Sequence, residues 1–255
     1  MLAIASDVDV LSASTKFKYE YKGNFKLSRF ITQNLPSDLA FNYLLQKADK
    51  VTLQHTGQQY KSTAARNNQV LFSNLIELDK LPKATNEGED YFICAGSLTM
   101  LKGADNLLKI VDMLDPSIKV KIVGAPKDIM STAIYEQLKT RKNVELMGWQ
   151  PQSKTIGLIS KAKALFNTSY FEGFPNIFLE AWGSGVPVIS LNVNPGDIFS
   201  KYNLGTWCKG DLQKMKKAIE HFDESRVDRP AMYTYVSTFH DFKTAAARFI
   251  KAIVS

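Results

Sequence analysis

The sequence predicts an α/β protein built on a doubly wound parallel sheet, and two observations predict this class. From Tyr91 onward, short apolar runs alternate with amphipathic stretches, as expected for buried parallel strands separated by helices. Each apolar run ends at glycine or polar residues, which is typical of a strand that reaches the edge of its sheet. The 255 residues are 45% hydrophobic, enough for one large core or two modest ones.

The N-terminal part of the chain shows the same alternation with few strands. We expect a strand, a helix, a strand, a helix and a strand over residues 1–10, 36–48, 51–54, 56–66 and 69–74. The polar, turn-rich segment 80–90 then predicts a linker. We therefore divide the chain into a partial N-terminal domain (1–85), a larger α/β domain (86–225) and closing helices (226–255), which we expect to pack back toward the N-terminal portion.

The larger domain has a regular pattern. Six strands are expected, over Tyr91–Ala95, Val120–Val123, Val144–Met147, Ala164–Asn167, Val186–Leu191 and Thr206–Lys209. Amphipathic helices fill the gaps, such as Asp105–Leu114 and Leu212–Phe222, and two helices close the chain over Pro230–His240 and Phe242–Val254. Ligands of such a sheet bind at the carboxyl ends of its strands, so the functional residues are sought there.

Residues 11–35 are rich in basic and aromatic side chains. Phe17, Tyr21 and Phe25 recur every four positions beside lysines, and as a helix they would suit an anionic membrane surface. Gly23-Asn24 interrupts that pattern, which favours a solvated, partly ordered segment. Peripheral membrane contact remains the alternative.

Charge and cysteine usage limit the partners and the compartment. A formal net charge of +7 favours anionic partners such as nucleotide diphosphates, acidic lipid or nucleic acid. No zinc finger, helix-turn-helix or aromatic RNA-binding motif supports nucleic acid. Neither a membrane-spanning run nor a signal peptide is indicated. Cys94 and Cys208 lie in apolar surroundings without ligand spacing, which predicts reduced core thiols in a cytoplasmic protein and no metal site.

The three histidines do not indicate a nucleophilic site. We expect His55 in a plain loop, with a position that lines the interdomain cleft as the alternative, and both His221 and His240 on helix surfaces. No Ser-His-Asp or Cys-His set can be assembled from them.

The most informative stretch is 164–191, in which a strand, a loop, a helix (176–182) and a strand follow one another. A helix N-terminus offers unpaired amides and a positive dipole end to a phosphate. Carboxylates such as Glu172 and Glu180 accept hydrogen bonds from sugar hydroxyls. If every step between them were helical, the two would lie about 12 Å apart, about the separation of two sugars joined through a pyrophosphate. The pattern therefore predicts a site for a phosphorylated polyol, although either carboxylate alone would pass for a solvated helix residue or a dipole partner.

The loops that end earlier strands predict further contacts. In residues 95–103, Gly96 and Gly103 free the backbone at both ends, and Lys102 places a charge at the mouth of a helix. Glycines also end the next two strands, at 124 and 148. A tight turn is the alternative interpretation there, and Trp149 is either a site residue or core.

The string E-G-F-P-N-x-x-x-E-A-x-x-x-G-x-P-V-I, which begins at Glu172, closely resembles the E-x7-E signature of the family 4 (group 1) retaining glycosyltransferases of GT-B fold. The loop 95–103 resembles that family's G-R-L-x-x-x-K-G loop, with Ser97 in place of the usual arginine. A hydroxyl brings no charge, so donor affinity or turnover is expected to be lower than in a typical member. The resemblance covers 91–222 well and 39–78 loosely, which implies a Rossmann-like donor domain after an incomplete acceptor-side α/β portion.

The resemblance implies transfer of a sugar from a nucleotide-diphosphate sugar to a hydroxyl of a glycan or lipid-linked acceptor, in polysaccharide or cell-surface glycan biosynthesis, with no metal and no cofactor. Glu172 would position the donor sugar, Glu180 would hold the ribose, and Lys102 would stabilise the leaving diphosphate, so Glu172 and Lys102 are the candidate catalytic residues. Amides of 174–177 would bind the diphosphate, and backbone near 147–149 would contact the base. The candidate donor-binding residues are Gly96, Ser97, Lys102, Gly124, Met147, Gly148, Glu172, Gly173, Phe174, Pro175, Asn176, Ile177 and Glu180.

Three alternatives stay open at this point. The chain can be a non-catalytic nucleotide-sugar-binding module, or a split transferase completed by a second chain or a missing N-terminal segment, because early strands of a full family member are absent. Asp7 and Asp9 match the metal-diphosphate pattern of the other large glycosyltransferase fold, although loop aspartates explain them better. A nicotinamide dehydrogenase is the weakest alternative, since no G-x-G-x-x-G follows a strand.

Overall fold

The computed structural model describes residues 2–4, 35–58, 68–84 and 89–254. The aspartates at positions 7 and 9, the basic aromatic segment 11–34 and most of the helix expected over 56–66 lie outside these residues. None of the described helices is both long and apolar enough to cross a lipid bilayer.

Three parallel strands near the N-terminus form a small sheet. They are β1 (Leu2–Ile4), β2 (Val51–Leu53) and β3 (Gln69–Leu71), hydrogen-bonded in that order. Helix α1 (Leu35–Lys47) precedes β2, and its Leu45 packs with Val51 and Leu53 in a small core. A 3-10 turn (Thr56–Gln58) follows β2 where a helix was expected to begin.

The larger sheet has six parallel strands. They are β4 (Phe92–Ala95), β5 (Val120–Val123), β6 (Val144–Gly148), β7 (Ala164–Asn167), β8 (Val188–Ser190) and β9 (Gly205–Trp207). Their order across the sheet is β6-β5-β4-β7-β8-β9. The predicted parallel α/β class is confirmed, and the strand bounds differ from the expected ones by two residues or fewer.

Helices cover both faces of this sheet. They are α2 (Ala104–Met113), α3 (Ile129–Leu138), α4 (Gln152–Ile159), α5 (Asn176–Gly183), α6 (Ile198–Lys201), α7 (Leu212–Glu220) and α8 (Arg229–Phe239). The last helix, α9 (Phe242–Val254), packs on α8. Ile159, Phe178 and Trp182 belong to the core on one face, and Ile110 and Met215 to the core on the other. Two cores around one sheet are the expected arrangement of a doubly wound fold.

Consecutive residues of the central strands enter different cores. In β7, Leu165 packs into the first core and Phe166 into the second, and in β8 Val188 and Ile189 divide in the same way. Side chains alternate across a strand, so a strand buried on both faces is apolar at every position. This alternation explains why the sequence shows continuous apolar runs.

The strand order reverses between β4 and β7. The chain adds β5 and β6 on one side of β4 and then continues with β7, β8 and β9 on the other side. The loops that leave the carboxyl ends of β4 and β7 therefore run to opposite faces and open a crevice between them.

The junction between α8 and α9 is hydrogen-bonded to the segment that connects the two sheets. The backbone N–H of Ile76 donates to the carbonyl of His240, and the N–H of Phe242 donates to the carbonyl of Ile76, both at 2.9 Å. The closing helices therefore contact Ile76, which precedes the linker at 80–90, while α8 also packs through Met232 and Val236 into the first core of the large sheet.

His240 is buried, with 2% of its surface exposed, so the expectation of a helix-surface histidine is wrong. It lies just beyond the end of α8, where the chain turns inward. Its Nδ1 lies 2.9 Å from the carbonyl oxygen of Asn74, and its Nε2 lies 3.0 Å from the hydroxyl of Tyr235. Burial lowers the pKa of His240 to about 4, an effect that the Asn74 carbonyl opposes and Arg248 reinforces. His221 is exposed, as expected.

The burial of His240 predicts a pH dependence of stability. The pKa of this histidine is 6.5 when unperturbed and about 4 in the folded chain, so acidification protonates the unfolded state first. Its contribution to the free energy of unfolding is complete above pH 6.5 and falls by about 3 kcal/mol as the pH drops to 4. Urea unfolding of wild type and His240→Gln at several pH values isolates this effect. We expect the stability difference between the two to shrink on acidification, and a constant difference would contradict the assignment.

Candidate functional site

A cavity of about 540 Å³ lies at the carboxyl ends of β4 and β7, in the crevice that the strand order creates. Ten of the thirteen candidate donor-binding residues line it: Gly96, Ser97, Lys102, Glu172, Gly173, Phe174, Pro175, Asn176, Ile177 and Glu180. Gly124 lines a smaller neighbouring cavity of about 270 Å³. The carbonyls of Met147 and Gly148 are bonded within the protein, to Gln150 Nε2 at 2.6 Å and to the Gly124 N–H at 2.8 Å.

Gly103 allows the loop after β4 to lie against the end of β7. Its φ is +69°, in the left-handed region, and a Cβ there would lie 1.9 Å from the carbonyl oxygen of Thr168. A side chain at this position would therefore push the two loops apart. The close approach brings Lys102, on the first loop, opposite Glu172, on the second.

The two candidate catalytic residues form an ion pair. Nζ of Lys102 lies 2.5 Å from both carboxylate oxygens of Glu172, and the hydroxyl of Ser169 donates to Glu172 Oε1 at 2.9 Å. The side chain of Glu172 is 14% exposed and that of Lys102 is 40% exposed. Each charge neutralises the other, so an anion that enters the cavity competes with Glu172 for Lys102.

Helix α5 begins at the floor of the cavity. No side chain caps its N-terminus, so the amides of its first turn, at Asn176 and Ile177, have no partner within the helix. The Phe174 amide differs, because it already donates to Gln54 Oε1 at 2.7 Å, and Pro175 has no N–H. The expectation that all amides of 174–177 face a phosphate is therefore corrected to the first turn of the helix. Glu172 also precedes the helix, so the separation estimated for a fully helical segment does not apply.

Glu180 is 6% exposed, which rules out a solvated helix carboxylate. It lies in α5, and its Oε1 accepts a hydrogen bond from Nε2 of Gln152 at 2.7 Å. Burial raises the pKa of Glu180, and the bond from Gln152 opposes that shift. Gln152 was missed by the sequence analysis, since a single glutamine at the start of a helix carries no spacing signal.

Trp149 is 74% exposed, so the core alternative is wrong for this residue. It lines the smaller cavity together with Gly124 and Gln150. This cavity shares Gly96 and Ser97 with the larger one, so the two form a continuous surface along the strand ends. An exposed aromatic ring beside such a cavity offers a flat apolar platform.

Among the described residues, neither a reactive cysteine nor a metal site is found at the cavity. The Cys94 thiol lines the large cavity, but burial raises its pKa to about 12, which keeps it protonated. Within the described ranges, no three side chains of histidine, cysteine, aspartate or glutamate cluster as a metal site would require. The expectation of metal-independent chemistry stays a prediction.

Gln54 and Asn74 line the cavity from the small sheet, and the sequence analysis missed both. Each is a polar residue shortly after a strand, β2 for Gln54 and β3 for Asn74. The same signal identified the loop after β4, and it could have identified these two. His55, beside Gln54, is also buried between the two sheets, and its Nδ1 accepts a hydrogen bond from the Gly196 N–H at 3.1 Å.

Residues 76–236 match the family model described as "Glycosyl transferases group 1". Among curated proteins, the chain is similar to the lipopolysaccharide 1,6-galactosyltransferase of Escherichia coli K12, with 30% identity over 202 residues. That similarity covers 73% of this chain and 55% of the E. coli protein.

Two solved structures illustrate the similarity of fold. A mutant of TarM from S. aureus, in complex with fondaparinux, alpha-GlcNAc-glycerol and UDP, has a TM-score of 0.69 at 16% identity, covering 99% of this chain and 49% of that one. HepE from Anabaena, in complex with UDP-glucose, has a TM-score of 0.67 at 14% identity, covering 90% and 69%. The fold is therefore that of the GT-B glycosyltransferases.

The chain spans about half the length of the curated relatives it matches, between 43% and 55%. The family model itself covers more than half of the present sequence and includes every candidate site residue. The chain belongs to the glycosyl transferases of group 1.

Proposed function

We propose that this chain carries the donor site of a retaining glycosyltransferase, which moves a sugar from a nucleotide-diphosphate sugar to a hydroxyl of a glycan or lipid-linked acceptor. The observation that carries the proposal is the cavity at the reversal of strand order, where Lys102, Glu172 and the start of α5 meet. Open α/β sheets bind their ligands at this point. The UDP and UDP-glucose present in the similar solved structures support a nucleotide-sugar donor.

The diphosphate would lie between the first turn of α5 and Lys102. The amides of Asn176 and Ile177 and the positive end of the helix dipole attract an anion. Lys102 then moves from Glu172 to the diphosphate, and the hydroxyl of Ser97 adds an uncharged contact. This positive charge stabilises the leaving diphosphate, and we propose that it acts in place of a metal ion.

The ribose would bind at Glu180 and the base at the smaller cavity. One oxygen of Glu180 is held by Gln152, so the carboxylate is oriented before any ligand arrives. A buried carboxylate gains from hydroxyl donors because it is otherwise poorly solvated. The exposed ring of Trp149 provides a stacking surface for the base. It lies beside Gly124 in the smaller cavity, beyond the residues Gly96 and Ser97 that line both cavities.

Glu172 would contact the donor sugar once Lys102 has turned to the diphosphate. The loop that carries Glu172 joins the end of β7 to α5, so the carboxylate lies between the end of that strand and the first turn of the helix. The proposal includes a glycan or lipid-linked acceptor and a role in surface polysaccharide synthesis. It also includes a cytoplasmic location, with contact at the cytoplasmic face of a membrane.

A second candidate is a nucleotide-sugar-binding module that needs a further chain or segment for catalysis. The length comparison favours it, because the E. coli relative is covered over only 55% of its length. The described small sheet also has only three strands. Donor binding is common to both candidates, and turnover separates them.

The donor site predicts stabilisation by one nucleoside diphosphate. A ligand at 100 times its Kd adds about 2.7 kcal/mol to the free energy of unfolding, which raises Tm by roughly 5–10 °C for a chain of this size. Thermal unfolding with UDP, GDP, ADP and CDP measures the shift. We expect one of them to stabilise the wild type and Glu180→Ala to lose most of that shift.

Glu136→Ala is the matched control, because Glu136 is an exposed helix carboxylate that forms an ion pair with the neighbouring Lys139. It should keep the full shift. If no nucleotide stabilises the wild type, or if Glu180→Ala retains the shift, the proposed site is contradicted.

Replacement of Glu172 should separate binding from turnover. In Glu172→Gln, Lys102 loses its carboxylate partner, so UDP should bind as tightly as in wild type or more tightly. Release of UDP from UDP-glucose or UDP-galactose, with water as the acceptor, should fall about 100-fold or more. Equal turnover in the variant would contradict the role of Glu172. A wild type that binds UDP but shows no turnover would favour the second candidate.

A further inference from the structure

The side-chain amides of Gln54 and Asn74, which follow strands of the small sheet, bind the backbone N–H and carbonyl of one residue, Phe174, in the loop before α5. The Phe174 N–H donates to Gln54 Oε1 at 2.7 Å, Gln54 Nε2 donates to Asn74 Oδ1 at 2.9 Å, and Asn74 Nδ2 donates to the Phe174 carbonyl at 2.7 Å. The three bonds close a ring, called the amide ring below. It connects two residues that follow β2 and β3 to Phe174, about 100 positions later, in the loop 168–175 between β7 and α5, called the donor loop below.

The orientation of both side chains in the amide ring is determined by the backbone. An N–H at residue 174 requires the oxygen of Gln54, which directs Nε2 of Gln54 toward Asn74. The carbonyl at residue 174 requires the nitrogen of Asn74, which leaves Oδ1 of Asn74 toward Gln54. Flipping either amide would place two donors or two acceptors against each other. The three hydrogen bonds can therefore form with only one orientation of each side-chain amide.

Gln54 and Asn74 also form hydrogen bonds outside the ring. The backbone N–H of Gln54 donates to Gln58 Oε1 at 2.8 Å. The carbonyl of Asn74 contacts Nδ1 of the buried His240, as described above. Asn74 Nδ2 also donates to Asn176 Oδ1 at 2.7 Å, at the first residue of α5. These bonds fix the backbone of both residues and the amide nitrogen of Asn74, so the ring starts from anchored positions and is effective as a positioning device.

We propose that Gln54 and Asn74 are positioning residues of the donor site, which hold the backbone of Phe174 so that Glu172 and the first turn of α5 face the cavity. Phe174 lies two residues after Glu172 and two before Asn176, so its displacement moves both. The proposal rests on the proposed function, because the loop matters only if it receives a diphosphate.

The ring also makes the donor loop depend on contact between the two sheets. If the small sheet moves away, the Phe174 N–H and carbonyl both lose their partners inside the protein. Because unpaired buried polar groups are costly, the loop would then rearrange or take up water. Order in the donor loop is therefore coupled to the position of Gln54 and Asn74.

The test uses the full chain with Gln54→Met and Asn74→Leu, which keep similar volume, carry no charge and cannot form the ring. Hydrogen exchange of the Phe174 amide, followed by mass spectrometry, reports whether the ring is broken. Calorimetry with UDP and UMP reports on the site. We expect faster exchange in Gln54→Met, and UDP binding weakened about 5- to 10-fold in both variants, the effect of losing one or two hydrogen bonds. UMP binding should change less than about twofold, because it lacks the phosphate nearest the loop.

The control is His55→Ala, which removes a different hydrogen bond between the same two parts of the chain, at Gly196. It should leave UDP binding unchanged. Faster exchange at Phe174 with unchanged UDP binding would show that the ring is structural only and overturn the proposal. Equal losses for UDP and UMP, or an equal loss in His55→Ala, would overturn it as well. A wild type that binds none of the four nucleoside diphosphates contradicts the proposed function and the positioning role with it. If only the positioning role is wrong, wild type and both variants bind the nucleoside diphosphate with the same affinity.

Discussion

The site depends on one topological constraint, the reversal of strand order between β4 and β7. Parallel strands bring all their carboxyl ends to one edge, and the reversal opens that edge where the loops diverge to opposite faces. Because β4 and β7 are neighbours, the loops after them can touch, and Gly103 permits the contact by leaving room for the Thr168 carbonyl. Lys102 and Glu172 face each other as a result.

The second half of the chain does not build this site alone. Asn74 contacts the donor loop with its side chain and His240 with its carbonyl, so the junction of α8 and α9 is connected to the loop before α5 through one residue. Burial keeps His240 neutral at pH 7, and a neutral imidazole can donate from Nδ1 to the Asn74 carbonyl while Nε2 accepts from Tyr235. The junction of the closing helices and the residues that follow the strands of the small sheet thus support one face of the cavity.

Sequence patterns predicted the large sheet well because its strands are apolar on both faces, and the motif beginning at Glu172 placed both of its carboxylates on the wall of one cavity. Ion pairs and hydrogen bonds between side chains that lie far apart in the sequence could not be predicted from such patterns. Lys102 and Glu172 lie 70 positions apart, and each was expected to contact a ligand before the fold showed that they contact each other. His240 was predicted on a helix surface, but it follows the last residue of α8 and is buried, and helical spacing does not show which side of the helix end the next residue faces. Gln54 and Asn74 belong to no motif, so only their position after strands could have indicated them.

We propose that the diphosphate of a nucleotide sugar binds at the start of α5, between the helix amides and Lys102. A crystal structure with UDP bound tests this placement most directly. We expect phosphate oxygens within hydrogen-bond distance of the Asn176 and Ile177 amides, Nζ of Lys102 turned from Glu172 to the diphosphate, and ribose hydroxyls at Glu180. UDP bound elsewhere, or bound here with the ion pair between Lys102 and Glu172 intact and the helix amides empty, would contradict it.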